Sequence, residues 1–485
     1  MNSYFMYGFD KNPPWGKGYV NFSSGLTINT INNNRRLNFL QTNTTMADST
    51  GNLLFSSNGL FIVDRNDSIM MGGDSINLYS AAYSLGSISV GWGCNQGLLS
   101  IPHPGHPNEY LMFQVQFNND DPNVYWINEI DYHHISMDSA GGMGKVISHN
   151  NLVLNDSMTE SFFSAVKHGN GRDWWLVKLQ RNTNSYFKFL VTPTGITMST
   201  QALGPIGESA TYEGQSAFSQ DGRYYARVDT RLDTTWITDT SQVVLMEFDR
   251  CTGTFSNLIV DLIDSGYVGG VAFSPNNKFL YVATGLHIYQ YNLQDGSNMV
   301  NTKKIIATYD GYASPFANSW ATFWQMFVGA DKKIYCITQS QSDNMTVINQ
   351  PDLFDTLCDA QPHSFHFGIL NSRTCPNWPN YELGPEIGSI CDSLGLAQHE
   401  VITSMGLQLF PNPANGFYNI HYSIPGNTTA LATVYDVSGK KIEQHNLYGH
   451  FSNLQVSTAM YTPGLYVVNV SCNNVSESKR VLVVE

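Results

Sequence analysis

The chain has 485 residues, carries a formal net charge of −14, and is 42% hydrophobic but only 13% charged. A chain of that length is too long for a single hydrophobic core and is long enough for a repeat domain followed by a small module. Nucleic-acid binding is not expected, because phosphate contacts need a basic stripe that the sequence lacks. No apolar run approaches the roughly 18 residues of a transmembrane helix, so no transmembrane segment is predicted.

Short strands with turn residues between them are predicted along most of the chain. Two strands, at residues 18–22 and 26–31, precede a unit of strand, turn and strand that recurs from residue 48 onward. The clearest copy spans residues 271–291, where three runs rich in β-branched and aromatic residues are separated by the turns SPNN and TG. The last position of the first turn in each copy falls at Gly51, Asn108, Gly171, Gly222, Asn277 and Lys332.

The spacing of these positions predicts a β-propeller. Successive copies are 57, 63, 51, 55 and 55 residues apart, which suits one four-stranded blade with generous loops. A parallel β-helix would need a shorter repeat, and an α-solenoid would need helical periodicity. Six copies are readable, and we predict a seventh blade built jointly from residues 15–45 and His363–Tyr381, which would close the ring. We therefore favour seven blades over six for residues 1–383.

The pattern changes after the propeller. Residues 384–404 have the composition of a linker, and residues 405–485 contain six or seven short strands with their own turns. About 80 residues in that many strands suit a small immunoglobulin-like β-sandwich. The predicted fold class is therefore all-β throughout, a β-propeller followed by a β-sandwich.

Motifs in residues 405–485 carry a resemblance to a known family. They read FPNPANG at 410–416, VYDVSGKKI at 434–442, PGLYV at 463–467 and SKRVLVV at 478–484. In this order and spacing they resemble the type A sorting domain of the type IX secretion system of Bacteroidetes. The residues that match its sorting motif are Pro411, Asn412, Pro413, Asp436, Gly439, Lys440, Gly464, Tyr466, Lys479 and Arg480.

The resemblance implies a cellular address. It implies export, contact with the type IX secretion machinery through the C-terminal domain, and release or attachment at the outer-membrane surface. The N-terminal sequence MNSYFMYGFDKNPPWGKG has neither a basic start nor an apolar core, so no signal peptide is visible. We interpret this start as a truncated or mature N-terminus.

The preceding region has a resemblance of its own. FSPNNKFLYV at residues 273–282 resembles the repeats of WD40-like and YVTN-like propellers, and Pro376–Tyr381 resembles propeller regions that precede such sorting domains. This resemblance implies a fold and an address, and it implies no reaction.

Three pairs of histidines are the candidate metal ligands: His103 with His106, His133 with His134, and His363 with His366. Residues i and i+3 of a strand face opposite sides, so such a pair is a poor chelate there. His103 and His106 lie in the proline-bracketed turn PHPGHP, where they could converge. Ordinary loop histidines are the favoured interpretation, so we predict no metal ligand and no cofactor.

Neither a GxSxG elbow nor an HExxH helix is present, and no catalytic residue is predicted. Cys358, Cys375 and Cys391 lie in one loop-rich segment, where an oxidising compartment would allow a disulfide whose pairing stays open.

The predicted function is that of a secreted or surface-attached binding or adhesion module for a protein or a glycan. Most tryptophans are expected in the core, but Trp320 could stack on sugar rings at a propeller face. The alternative is an extracellular glycan-active hydrolase or lyase with its site at the propeller channel. An enzyme should show two or more convergent titratable groups at the mouth of that channel, and enzymatic activity is the less favoured of the two.

Overall fold

The computed structural model describes most of the chain in two compact units, residues 1–392 and 393–485. The described residues are 4–8, 17–22, 27–29, 36–39, 41–74, 76–77, 91–117, 126–206, 214–231, 240–264, 269–315, 319–371, 373–392, 405, 407–422, 429–448, 453–472 and 475–484. Most of the predicted linker, from residue 393 to 404, lies outside them.

The first unit contains seven antiparallel sheets, counted over the described residues and numbered in chain order. Sheets 1 and 2 have three strands each, β1 (Tyr4–Gly8), β2 (Lys17–Asn21) and β3 (Thr27–Asn29), then β4 (Thr44–Ala47), β5 (Leu53–Ser57) and β6 (Ile62–Asp64). Sheets 3 and 4 have four strands each, β7 (Leu98–Pro102), β8 (Glu109–Gln116), β9 (Glu129–Ser136) and β10 (Lys145–Asn155), then β11 (Met158–Lys167), β12 (Trp174–Gln180), β13 (Ser185–Thr192) and β14 (Gly195–Ala202).

Sheets 5, 6 and 7 also have four strands each. Sheets 5 and 6 are β15 (Gly214–Phe218), β16 (Tyr224–Arg231), β17 (Thr240–Asp249) and β18 (Thr254–Ile263), then β19 (Val271–Phe273), β20 (Phe279–Ala283), β21 (His287–Asn292) and β22 (Lys304–Thr308). A separate hairpin of β23 (Ala313–Ser314) and β24 (Ser319–Trp320) precedes sheet 7, which is β25 (Phe323–Val328), β26 (Ile334–Thr338), β27 (Ser342–Ile348) and β28 (Ala360–Asn371). Short 3₁₀ helices span Ala140–Gly142, Leu293–Thr302 and Asp355–Cys358.

The six turn positions read from the sequence share one backbone conformation. All of them have φ between 59° and 89°, the left-handed region, and each joins the first and second strands of its sheet. In five of the six, the N–H of this residue donates to the carbonyl three residues earlier at 2.9–3.1 Å. This is the four-residue hairpin turn in which glycine or asparagine is favoured, so the repeat predicted from the sequence is confirmed.

The sheets form a closed ring around a central channel. The first strands of sheets 2 to 7 are neighbours in succession, and β1 lies beside β4. Sheet 1 closes the ring, because Met6 packs with Val63 of sheet 2 and the ring of Phe22 lies 5.7 Å from that of Tyr335 in sheet 7. In a closed ring every sheet packs against a neighbour on both faces, so no sheet has an uncovered face. The predicted all-β propeller is confirmed, with seven sheets in the described residues.

The predicted composition of the seventh blade was wrong. Residues 360–371 form the outer strand of sheet 7, pairing with β27, and do not complete a sheet with the early strands. The early strands make sheet 1 by themselves, and Pro376–Tyr381 runs into the channel instead. The sequence assigned His363–Tyr381 to a blade, but it carried no information about which partner strand these residues would take.

The second unit is a β-sandwich, as predicted. Its strands are β29 (Gln408–Asn415), β30 (Phe417–His421), β31 (Thr429–Asp436), β32 (Lys441–Tyr448), β33 (Asn453–Ser457), β34 (Gly464–Cys472) and β35 (Val475–Val483). The beginning of β29 pairs with β30, while Ala414 near its end bridges to Val483 of β35, so β29 joins two sheets. Buried side chains such as Ile420, Val434 and Val468 fill the space between them.

Across the described part of the chain, no helix has the length and apolar character needed to cross a membrane.

Candidate functional site

The channel is the first candidate site, and amide side chains span it. Gln215 of sheet 5 donates to the carbonyl of Met326 in sheet 7 at 2.6 Å and accepts from the N–H groups of Val271 and Met326 at 3.0 and 2.9 Å. A Cβ on Gly270 would lie 2.4 Å from the Gln215 Oε1 atom, so only glycine admits this approach. The inner edges of the strands are thereby paired by side chains.

Gln96 does the same on the other side of the channel. Its Oε1 atom accepts from the N–H groups of Ser216 and Phe162 at 2.9 and 3.2 Å. Its Nε2 atom donates to the carbonyl of Ser216 at 2.9 Å and to Oδ1 of Asn377 at 3.0 Å. Gln96 therefore connects the first strands of sheets 4 and 5 to the segment that follows sheet 7.

That segment, residues 373–384, crosses the channel and is called here the central segment. Its side chains donate to backbone carbonyls of sheets 3 and 4, of the connection before sheet 2 and of the first turn of sheet 5. Asn377 Nδ2 donates to Leu98 and Phe163 at 3.0 and 2.9 Å, and the Tyr381 hydroxyl donates to Ser100 at 2.7 Å. The central segment therefore fills part of the channel and bonds to several blades at once.

A cavity of about 480 Å³ remains beside the central segment, at the end of the channel where the repeated turns lie. Its lining is mostly backbone, amides and apolar side chains, and the titratable side chains among the described lining residues are Lys332, Tyr381 and Glu382. The Tyr381 hydroxyl is already bonded to a carbonyl, and burial raises its pKa. Glu382 is the one carboxylate among the described lining residues.

The hairpin of β23 and β24 is the second candidate site, and we call it the Trp320 hairpin. The Trp320 side chain is 71% exposed, whereas the tryptophans elsewhere in the described residues are buried or half-buried. The hairpin is held against sheet 7, because Ser319 donates to the carbonyl of Gln341 at 2.9 Å and Ser314 donates to Asp343 at 3.3 Å. Trp320 is thus a large apolar surface on a fixed support.

Polar and aromatic groups lie next to the Trp320 hairpin. The carbonyl of Tyr312 accepts from the N–H of Ala321 at 3.1 Å, and the Tyr312 ring stacks on His363 with centroids 4.3 Å apart. Asn344 donates to the Tyr312 hydroxyl at 3.0 Å, and Asp310 accepts from His363 at 3.2 Å. The Tyr312 N–H and the His363 ring hold the pKa of Asp310 below its usual range, so its exposed carboxylate is charged.

The structure keeps His103 and His106 together, with ring centroids 4.2 Å apart, and gives the members of the other two pairs different surroundings. His133 is buried and bonds to Gln114, while its neighbour His134 faces the opposite side of sheet 3 and bonds to Glu109. His363 belongs to the polar group beside the Trp320 hairpin, whereas His366 is exposed on β28. Among the described residues, one group of three has the ligand-atom spacing that a metal ion needs: His103, Glu109 and His134.

The sequence named His103 and His134 as candidates in different pairs, but it missed Glu109 and the grouping of the three residues. The signal lay in strand register, since β8 and β9 pair with Leu111 opposite His134, which puts residue 109 on the same face as His134.

The sorting-motif residues occupy several places in the second unit. Pro411, Asn412 and Pro413 lie in β29 and are exposed, with cis peptide bonds before both prolines. Lys479 and Arg480 are exposed on β35. The structure brings these two stretches together, because Asn412 donates to the carbonyl of Arg480 at 2.9 Å and accepts from the N–H of Leu482 at 3.0 Å.

The remaining motif residues build a turn and a strand. Asp436 accepts from the N–H of Lys440 at 3.0 Å, and Gly439 adopts φ of 83° in the same turn. Gly464 begins β34, and the Tyr466 hydroxyl donates to the carbonyl of Thr462 at 2.8 Å.

One disulfide joins Cys251 to Cys391. Cys391 was one of the three cysteines considered from the sequence, but Cys251 was not, and Cys358 and Cys375 are buried free thiols. The bond fastens the end of the first unit, beyond the central segment, to the turn after β17.

Residues 408–484 match the family model described as Secretion system C-terminal sorting domain. The match confirms the sorting domain recognised from its motifs, and with it the address: the protein is exported and is secreted or attached to the outer-membrane surface. No curated protein matches the chain.

Among solved structures, the chain is similar to a protein from Lactobacillus plantarum, with 11% identity, 72% of this chain and 92% of that chain covered, and a TM-score of 0.38. It is similar to the periplasmic gluconolactonase of Pseudomonas aeruginosa, with 12% identity, 77% and 96% covered, and a TM-score of 0.35. A Dos1 propeller gives 9% identity, 70% and 73% covered, and a TM-score of 0.31. Similarity at this level bears on neither ligand nor reaction.

Proposed function

We propose that this exported propeller is a binding module and that it binds a carbohydrate at the Trp320 hairpin. The observation that carries the proposal is the exposure of Trp320. Its side chain is 71% exposed, whereas the other tryptophans of the described residues are buried or half-buried. A large exposed aromatic residue on a fixed support is typical of a binding surface, because its ring offers much contact area at little cost in conformational entropy.

The groups beside the hairpin favour a sugar over an apolar ligand. A pyranose has a face of C–H bonds that packs on an indole ring, and hydroxyls around its edge that need hydrogen-bond partners. Asp310 is placed near the hairpin through Tyr312 and is exposed as a charged acceptor, while the buried Asn344 supports the Tyr312 hydroxyl from beneath. The net charge of −14 argues against a nucleic acid as the ligand.

The enzymatic alternative has less support. Hydrolysis of a glycoside generally needs two carboxyl groups on either side of the scissile bond. The described lining of the channel cavity contributes a single carboxylate, Glu382. Binding at the outer hairpin needs no such pair.

A glycan microarray probed with the full chain tests the proposal. The unmodified protein is expected to bind at least one class of glycan, and Trp320→Ala is expected to lose that signal. Leu357→Ala is the matched control, because Leu357 is 68% exposed and lies outside the hairpin, on the 3₁₀ helix Asp355–Cys358. Equal signals from Trp320→Ala and Leu357→Ala would contradict the proposal. Release of shortened products from the bound glycan would favour the hydrolase or lyase instead.

We further propose that the exposed stretch around Asn412 and Arg480 contacts the type IX secretion machinery. With a signal peptide supplied, removal of residues 405–485 is expected to strand the protein inside the envelope, measured by fractionation of cells and medium. Replacing Lys479 and Arg480 by alanine, which leaves the backbone bonds of Asn412 in place, is expected to reduce export as well. Normal export of both variants would contradict the proposed role.

A further inference from the structure

Four side chains with metal-binding groups converge at one end of sheet 3. The Nε2 atom of His134 lies 2.7 Å from Oε2 of Glu109, and the Nδ1 atom of His106 lies 3.8 Å from the same oxygen. The ring of His103 lies between the other two imidazoles, with centroids 4.2 Å from His106 and 5.1 Å from His134. We propose that His103, Glu109 and His134 form a binding site for a divalent transition-metal ion of the zinc type, with His106 beside it.

The local fold explains why the four residues meet. The turn between β7 and β8 is closed by the N–H of His103 donating to the carbonyl of Glu109 at 2.9 Å, and by the N–H of His106 donating to the carbonyl of His103 at 3.2 Å. These bonds fold the turn back over the start of β8. Because Leu111 pairs with His134, the side chain of Glu109 lies diagonally across from His134 on the same face.

Ligand atoms of His103, Glu109 and His134 lie within 4.8 Å of one another, the separation that permits simultaneous contact with one ion. The Nδ1 atom of His103 lies 3.1 Å from the carbonyl of Pro104. An N–H on that nitrogen would donate to the carbonyl and leave the lone pair on Nε2 for a metal. Metal-bound histidines usually make this second bond, which fixes the tautomer and the orientation of the ring.

The donor set selects the class of metal. Two imidazole nitrogens and one carboxylate oxygen suit Zn²⁺ and its neighbours, whereas Ca²⁺ and Mg²⁺ require oxygen ligands. Three protein ligands fill three positions of a tetrahedron and leave the fourth for a water molecule or a further side chain. Such an ion would tie the β7–β8 turn to β9 at the rim of the propeller.

The full chain, purified without a histidine tag and treated with a chelator, tests this inference. Titration calorimetry with ZnSO₄, together with elemental analysis after dialysis, is expected to show one ion per chain. His134→Gln is expected to weaken binding about tenfold or more, the loss typical of removing even a residue that only supports a ligand. His366→Gln, at an exposed histidine of β28, is the matched control and is expected to bind as the unmodified protein does.

Circular dichroism checks that the variants are folded, and His103→Gln, on the turn between β7 and β8, replaces His134→Gln if the latter fails to fold. An excess of Ca²⁺ is expected not to compete with Zn²⁺. The inference is overturned if the unmodified protein binds no Zn²⁺, or if the cluster variants bind it as tightly as His366→Gln.

Discussion

Replacing Asn377 by alanine should weaken the whole propeller, although the residue lies in no strand. Its amide donates to the carbonyls of Leu98 and Phe163 and accepts from Gln96. Those partners belong to the inner parts of sheets 3 and 4 and to the connection before β7. Asn377→Ala therefore removes three hydrogen bonds by which the central segment holds separate blades together.

The expected loss follows from those bonds. At about 1 kcal/mol for each bond, the free energy of unfolding should fall by about 3 kcal/mol. A unit of 392 residues has an unfolding entropy of roughly 0.8 kcal/mol/K near its melting temperature. The two values together give a melting temperature about 4 °C lower.

Scanning calorimetry of the full chain measures this change. Asn298→Ala, at an exposed position of the 3₁₀ helix Leu293–Thr302, is the control and should shift the melting temperature by no more than about 1 °C. If Asn377→Ala and Asn298→Ala have the same melting temperature, the hydrogen bonds of the central segment do not stabilise the ring.

Three further changes follow from the same structure. The Cys251–Cys391 bond closes a loop of 140 residues, which the chain-entropy model makes worth about 5 kcal/mol of stability. A reductant should therefore lower the melting temperature of the unmodified protein but not that of Cys391→Ser. An equal effect of the reductant on both proteins would contradict this. Burial and the nearby Glu129 raise the pKa of Asp131 to about 6. The folded protein therefore resists ionisation of Asp131, and the free energy of unfolding falls as pH rises from about 4 to 6. Asp131→Asn should therefore gain about 2–3 kcal/mol above that range in urea unfolding and nothing below it, and a gain that does not vary with pH would contradict the cause. Lys332 has φ of 64°, so Lys332→Gly should gain about 1 kcal/mol in the same assay, whereas a loss would show that its side chain matters more than backbone strain.

The repeated turns could be predicted because their determinants are local. A turn at Gly222 or Asn277 needs a residue that tolerates positive φ and flanking strands with alternating apolar residues, and both features lie within a few positions of the chain. The sorting domain was recognised for a related reason, since its motifs, such as FPNPANG at residues 410–416, are contiguous.

Pairings between distant residues could not be predicted in this way. Cys391 bonds to a residue 140 positions earlier, and no local pattern distinguishes Cys251 from the other cysteines. Residues 376–381 of the central segment were predicted to be part of a blade, whereas they lie in the channel. Glu109 and His134 are likewise neighbours only through the register of β8 and β9.

The most direct test of the account is a calorimetric titration of the full chain with a glycan that the array identifies. We expect Trp320→Ala to raise the dissociation constant about tenfold or more, as loss of a tryptophan at the centre of a binding surface usually does. We expect Leu357→Ala to leave it unchanged. A dissociation constant that Trp320→Ala does not alter would contradict carbohydrate binding at the Trp320 hairpin.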